Sequence, residues 1–279
     1  MWGDDLEASA RRKMAWLIGI VAAAVIAGAL WYWSGLRTAP APPAAAAPAP
    51  AAPAATAPAI ANPLPGTGEG AALPALNDSD TLAHDSLAGV FGREALERYL
   101  VPQNLVRHIV VTVDNLPRKK LAVDLRPIKP VAGTTRTDTQ GDTLTLSSAN
   151  YERYAPLVQT LAHADVHTLV GVYRHLYPLF QQSYEDLGYP GKYFNDRVVE
   201  VIDHLLQTPE PATPPAVTQP RVFYEYADAD LEGRSSGQKL LLRMGPANER
   251  LVKAKLRELR AAIATAPPRP ARGGEDHHE

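Results

Sequence analysis

The chain has no cysteine. Disulfide staples, thiolate metal sites and thiol nucleophiles are therefore excluded, and any core must hold by burial and hydrogen bonding alone. Excess charge is missing too. The formal net charge is −2 over 279 residues, so no basic field asks for nucleic acid and no such partner is expected. Tryptophan is confined to one end: Trp2, Trp16, Trp31 and Trp33 are all of it. The remainder of the chain has no indole on which a sugar ring would stack. No motif downstream singles out a cofactor, and none is expected.

What the chain does have is one long apolar run. Residues 15–33, AWLIGIVAAAVIAGALWYW, carry no charge. At about 1.5 Å per residue such a run matches a hydrocarbon core of roughly 30 Å, where only a helix satisfies the backbone. Arg11, Arg12 and Lys13 abut its start and only Arg37 follows closely, an order that keeps the N-terminus cytoplasmic. Trp31, Tyr32 and Trp33 suit the outer interface. A cleaved signal peptide is the competing reading. Against it, the run exceeds the usual core of ~7–15 residues, and aromatic rings stand where a cleavage region is small and polar. The expectation is a cytoplasmic head at 1–13, a transmembrane signal anchor at 14–34, and a bacterial inner-membrane protein whose soluble part faces the periplasm.

Residues 35–72 are rich in alanine and proline, with Ile60 and Leu64 among the few large apolar side chains. Such a tract cannot bury a core and is predicted to be a disordered linker, extended where proline dominates. A polar tail at 265–279 is predicted to be disordered as well. Between them, 73–264 is long enough for one domain with a real core. Its pattern is mainly helical. Leu169, Tyr173, Leu176, Phe180, Tyr184 and Leu187 recur at three- and four-residue steps after Asp165, a capping residue, and Gly188 and Pro190 end that helix. Val198, Val201, Ile202, Leu205 and Leu206 mark a second, and Val252, Leu256, Leu259 and Ile263 a third, opened by Pro246. NLVRHIVVTVDNL is read as helix despite its β-branched density. Leu144 and Leu146 alternating with threonines give one short strand, and RVFYEY another extended piece. The fold class expected is mainly α, a helical soluble domain with one small β element, preceded by a single transmembrane helix and a Pro/Ala-rich linker.

The strings LYPLFQ, YFNDRVVEVIDHLL and SGQKLLLRMG, with LPALNDSD and VVTVDNLPRK nearer the start, resemble the bacterial DUF3014 family across essentially the whole soluble region. The resemblance implies a membrane-anchored layout in Gram-negative bacteria. It supplies no catalytic residues to carry over.

Three constellations carry chemistry. His163 and His167 are four apart, as a zinc site on one helical face requires, with His175 or His204 as a further ligand; but Ala164 stands where HExxH needs glutamate, and no metal is expected. Ser236 to Lys239 fits S-x-x-K, without the K-T-G that acyl-enzyme chemistry would add. The densest cluster surrounds the turn after Tyr184. There Tyr189, Tyr193, Asn195, Asp196 and Arg197 form a candidate partner-binding corner, and Glu185, Asp186, Glu200 and Asp203 are alternative acid and base groups for a glycosidic bond. Arg118, Lys119 and Lys120 read as a solvated loop. The expected function is presentation of a non-catalytic periplasmic domain, held at the membrane by a single-pass anchor, to an envelope protein or peptidoglycan. A peptidoglycan hydrolase with paired carboxylates is one alternative. A helical domain binding lipid or a small molecule is another, and it would need an apolar cavity between helices.

Overall fold

The computed structural model describes residues 59–67 and 72–264. The head, the expected anchor at 14–34, most of the linker and the tail lie outside the described residues. After a 3-10 turn at Leu76–Asp78 come α1 (Asp80–Phe91), α2 (Arg93–Tyr99) and α3 (Leu105–Asn115). The β-branched run does fold as helix α3, because Leu105, Val106 and Val110 fall on one side and are entirely buried. The first N–H groups of α3 are satisfied from another helix. The Asp80 carboxylate of α1 accepts from Asn104 N and Leu105 N, each at 2.8 Å.

A long pair follows, α4 (Ala149–His163) and α5 (Val166–Asp186). Asp165 caps α5 by accepting from Thr168 N at 2.7 Å. A turn through Gly188 leads to α6 (Phe194–Leu206). Helices α7 (Ala229–Glu232), α8 (Ser236–Met244) and α9 (Pro246–Ile263) complete the described chain. Leu105, Val106 and Val110 pack on Leu176, Leu179 and Phe180 of α5 and Phe194 of α6 to form the main core. Helix α9 lies against α4, α5 and α6. It ties two of them by their C-termini: Lys253 Nζ donates to Thr208 O at 2.6 Å, just beyond α6, and Lys255 Nζ to Ala164 O at 2.8 Å, just beyond α4. Cations are favourable where helix carbonyls lack partners. Both lysines are almost wholly buried.

The β element is a four-stranded antiparallel meander, β1 (Thr137–Gln140), β2 (Thr143–Leu146), β3 (Ala216–Thr218) and β4 (Glu225–Tyr226), in that order. Leu144 faces Val217 in the register, and Val217 faces Tyr226. Leu146, Val217 and Tyr226 pack on Leu242 of α8. Of the expected extended piece RVFYEY only Glu225 and Tyr226 pair; Val222 and Phe223 sit in the connecting turn, 78% and 80% exposed.

The expected fold class needs correction at its transmembrane helix. Among the described residues no helix is long and apolar enough to cross a membrane. The longest, α5 with 21 residues, carries Arg174, Glu185 and Asp186, and α9 is studded with lysine and arginine. Each buries one face only. The fold is mainly helical with a small antiparallel sheet, and residues 14–34 are outside the part described.

Gly245 joins α8 to α9 at φ +82°, ψ 161°, a conformation essentially reserved for glycine. A Cβ there would lie 2.3 Å from Cγ of Tyr151. Gly245→Ala is expected to lower stability by about 2–4 kcal/mol through strain and overpacking, measured as a fall in the urea midpoint at unchanged slope.

Candidate functional site

The residues at the turn between α5 and α6 meet the C-terminal end of α3. Ala59, Asp114, Tyr184, Tyr189, Lys192, Tyr193, Asp196, Arg197 and Glu200 line a concavity of about 450 Å³. Its floor is Asp114, whose side chain is only 3% exposed. A buried carboxylate needs partners, and this one has three. Arg118 Nη2 donates to Oδ2 at 2.5 Å, Tyr189 OH donates to the same oxygen at 3.2 Å, and Arg197 Nε donates to Oδ1 at 3.1 Å. Arg197 extends further: its Nη2 donates to Asp114 O at 2.8 Å and its Nη1 pairs with Glu200 at 2.9 Å. Burial acts to lower the Arg197 pKa, but Glu200 and Asp114 outweigh it and the net shift is upward.

One wall is aromatic. The Tyr184 and Tyr189 rings stack with centroids 4.6 Å apart, and Lys192 Nζ sits 5.5 Å from the Tyr189 centroid, within cation–π range. Burial, opposed by the Arg197 charge and helped by Asp114, pushes the Tyr184 phenol up to about 12. Another edge is formed by the chain's own upstream segment. Asp196 accepts from Ala61 N at 3.1 Å, Asn62 N at 2.6 Å and Asn62 Nδ2 at 3.1 Å. Leu64 packs with Val170, Val199 and Ile263.

The five residues of the expected binding corner therefore divide. Tyr189, Tyr193, Asp196 and Arg197 share the concavity. Asn195 is 1% exposed and serves the fold, donating to Asn62 O and Ile263 O while accepting from the Tyr173 hydroxyl. The four acid and base candidates do not converge. Glu200 is on the rim, Asp186 pairs with Arg107 at 3.1 Å, Glu185 accepts from Gln181 Nε2 at 2.8 Å, and Asp203 pairs with Arg260. The carboxylates that do line the concavity are all engaged: Asp114 by two arginines, Asp196 by the 61–62 backbone, Glu200 by Arg197. Among the described residues that line the concavity, each of the three carboxylates has a hydrogen-bonded or charged partner.

The other constellations are placed as follows. His163 Nδ1 is 2.7 Å from Gln159 O on its own helix, and among the described residues no group of three or more His, Asp or Glu is placed to hold a metal. Ser236 Oγ donates to Arg118 O at 2.9 Å, and Lys239 pairs with Glu232, so the S-x-x-K serine and lysine face different partners. Lys119 of the basic loop donates to Gly233 O.

A serine–histidine pair that the sequence did not suggest lies nearby. His204 Nε2 is 2.9 Å from Ser235 Oγ. The N–H groups that would make an oxyanion hole there are taken: Ser236 N by Arg118 O, Gly237 N by Leu116 O, and Gln238 N by Ser235 Oγ itself. Ser235 is the N-cap of α8 and not an armed nucleophile.

Asp114 was also missed from sequence. Its signal was available: Val106, Val110 and Asp114 are four apart, an acid continuing an apolar stripe, and such an acid must be paired. Residues 105–260 match the model of a family described as "Protein of unknown function (DUF3014)". No curated protein and no solved structure matches.

Replacing Asp114 removes the carboxylate that Arg118, Arg197 and Tyr189 share and leaves Arg197, 16% exposed, with Glu200 as its one remaining acid partner among the described residues. Asp114→Ala is expected to cost about 3 kcal/mol of stability, read from chemical denaturation. His204 gives a pH signature. Burial, followed by the Arg197 charge and opposed by Glu200, lowers its pKa below the ordinary 6.5. The unfolded chain then takes up its proton first as the pH falls. Stability should decline as pH drops through about 6.5, and His204→Gln should show a shallower decline between pH 7 and 5 in the same denaturation assay.

Proposed function

The chain belongs to the DUF3014 family of proteins of unknown function, and from that premise we propose that its helical domain is a non-catalytic binding module for an extended peptide. The observation that carries this reading is the concavity over Asp114. Tyr189 and Tyr193, both partly exposed, the ammonium of Lys192 and the carboxylate of Glu200 all line it, while Tyr184 is buried against Tyr189 and the polar groups beneath are consumed in holding one another. Aromatic surface flanked by one cation and one anion suits a chain carrying both amino and carboxylate groups. A segment of an envelope protein has that chemistry, and so does the peptide stem of peptidoglycan. The periplasm, which the family resemblance implies, is the compartment we propose for it. The paired-carboxylate hydrolase is the weaker reading, because the acids lining the concavity are already engaged.

The test is co-sedimentation of the full-length chain with isolated cell-wall sacculi, before and after their peptide stems are removed by an amidase. Lys192→Glu and Tyr193→Ala leave the Asp114 floor intact. Binding that is lost with the stems, and weakened about tenfold in the double variant, is the expected result. Wild type and double variant pelleting equally, or failing equally to cross-link to any envelope protein, would remove the concavity as the binding site.

A further inference from the structure

A second, chemically opposite space lies away from the Asp114 site. Helices α2, α4 and α9 do not close completely on one another, and the loop around Ile128 covers the remaining side. The result is a partly open cavity of about 230 Å³ lined by Leu96, Tyr99, Ile128, Leu157, Leu161 and Val252, among other residues that are nearly all apolar. Apolar cavities of ~150 Å³ already stay dry and admit benzene. Nothing in such a lining would hold a polar ligand.

Three features beside it say what does fit. The segment that forms the outer wall exposes large apolar side chains to solvent: Val123 at 54%, Leu125 at 42% and Ile128 at 41%. Lys129 follows directly. Its backbone N–H donates to Tyr99 O at 2.7 Å and its Nζ to Glu97 O at 2.6 Å, which puts an ammonium beside the α2 residues that line the cavity. Among the described residues no carboxylate pairs with it, whereas the nearby guanidinium of Arg98, 6.0 Å from the Tyr99 ring centroid, is already paired with Glu94 at 2.9 Å, which leaves Lys129 as the cation for a ligand. An apolar slot with an unpaired cation at its edge is complementary to one amphiphile class, an alkyl chain ending in an anion.

We propose that this cavity takes the hydrocarbon chain of a fatty acid, with its carboxylate on Lys129. The site is independent of the peptide-binding reading and shares none of its residues. Each methylene withdrawn from water into the slot should tighten binding about fourfold, so affinity should climb with chain length until the slot is full.

The test is photo-cross-linking of the full-length chain with a diazirine-bearing dodecanoate, followed by mass-spectrometric mapping of the labelled peptides. Label is expected on the peptides carrying Leu96 and Tyr99 and on that carrying Leu157 and Leu161, competed by dodecanoate and not by dodecyltrimethylammonium. Ala95→Phe, which fills the cavity from α2, should cut that label about tenfold. Lys129→Glu, an exposed change that leaves the cavity intact, should weaken dodecanoate competition about fivefold and decides the matter should Ala95→Phe fail to fold. Label confined to residues 15–33, label unaffected by both variants, or equal competition by the cationic amphiphile would each overturn the assignment.

Discussion

The carboxylate of Asp114 governs the polar half of this domain. It ends the buried stripe of α3 and meets Arg118 from the loop beyond, Tyr189 from the turn after α5, and Arg197 from α6. Removing one carboxylate and a largely buried guanidinium from water costs several kcal/mol, which their attraction offsets only with good geometry and full hydrogen bonding. Here the geometry is supplied by the elements themselves: α3 and α6 must cross so that one arginine reaches both the Asp114 side chain and its carbonyl. The pair therefore contributes register more than net stability. It also decides what is left for a ligand. Every polar group at the floor is spent, so what the concavity offers outward is its rim, Lys192, Tyr193 and Glu200, and the partly exposed Tyr189.

Much of the helical frame was legible in the sequence. Leu169, Tyr173, Leu176, Phe180 and Tyr184 of α5 recur at three- and four-residue steps, while Leu187, expected to continue the stripe, lies just past the helix and is 39% exposed; Asp165 caps as a capping residue should, and Gly188 and Pro190 follow the helix end. Most of the site was legible too, because Tyr184, Tyr189, Tyr193, Asp196, Arg197 and Glu200 are close along the chain. Ala59 and Asp114 come from positions distant in sequence. Asp114 is about eighty positions away from Arg197, and an acid just before a helix end reads as solvated unless the stripe behind it is followed. Residues 59–67 show a similar limit. Alanine and proline composition gives no sign that two backbone N–H groups there will satisfy Asp196. The sheet was legible in part: Leu144 and Leu146 mark β2 and RVFYEY contains β4, but strands of two to four residues carry too few alternations to reveal β1 and β3 or the pairing.

The cavity beside Lys129 was not legible at all, and for a simple physical reason. A sequence states which faces are apolar, but a gap depends on how far three such faces fail to interdigitate. Leu96, Leu157 and Val252 would read as ordinary core at any packing density. The same applies to Lys253 and Lys255. Their positions on α9 look like a solvated face, yet both are buried because the C-termini of α6 and α4 converge on them and present carbonyls without partners.

The two sites differ in how they relate to the family. Asp114, Arg118, Tyr184, Tyr189, Lys192, Tyr193, Asp196, Arg197 and Glu200 all fall within residues 105–260, the span by which membership is shown. The floor and both walls of the concavity thus belong to the matched part, and only Ala59 at its edge does not. The apolar cavity straddles the boundary, since α2 supplies Leu96 and Tyr99 from outside that span. A polar frame whose charges cancel internally requires all its members at once, because removing one leaves a buried charge unpaired. An apolar slot tolerates change in its walls as long as volume is conserved. The concavity is accordingly the feature less tolerant of a single change, and the cavity the more tolerant one.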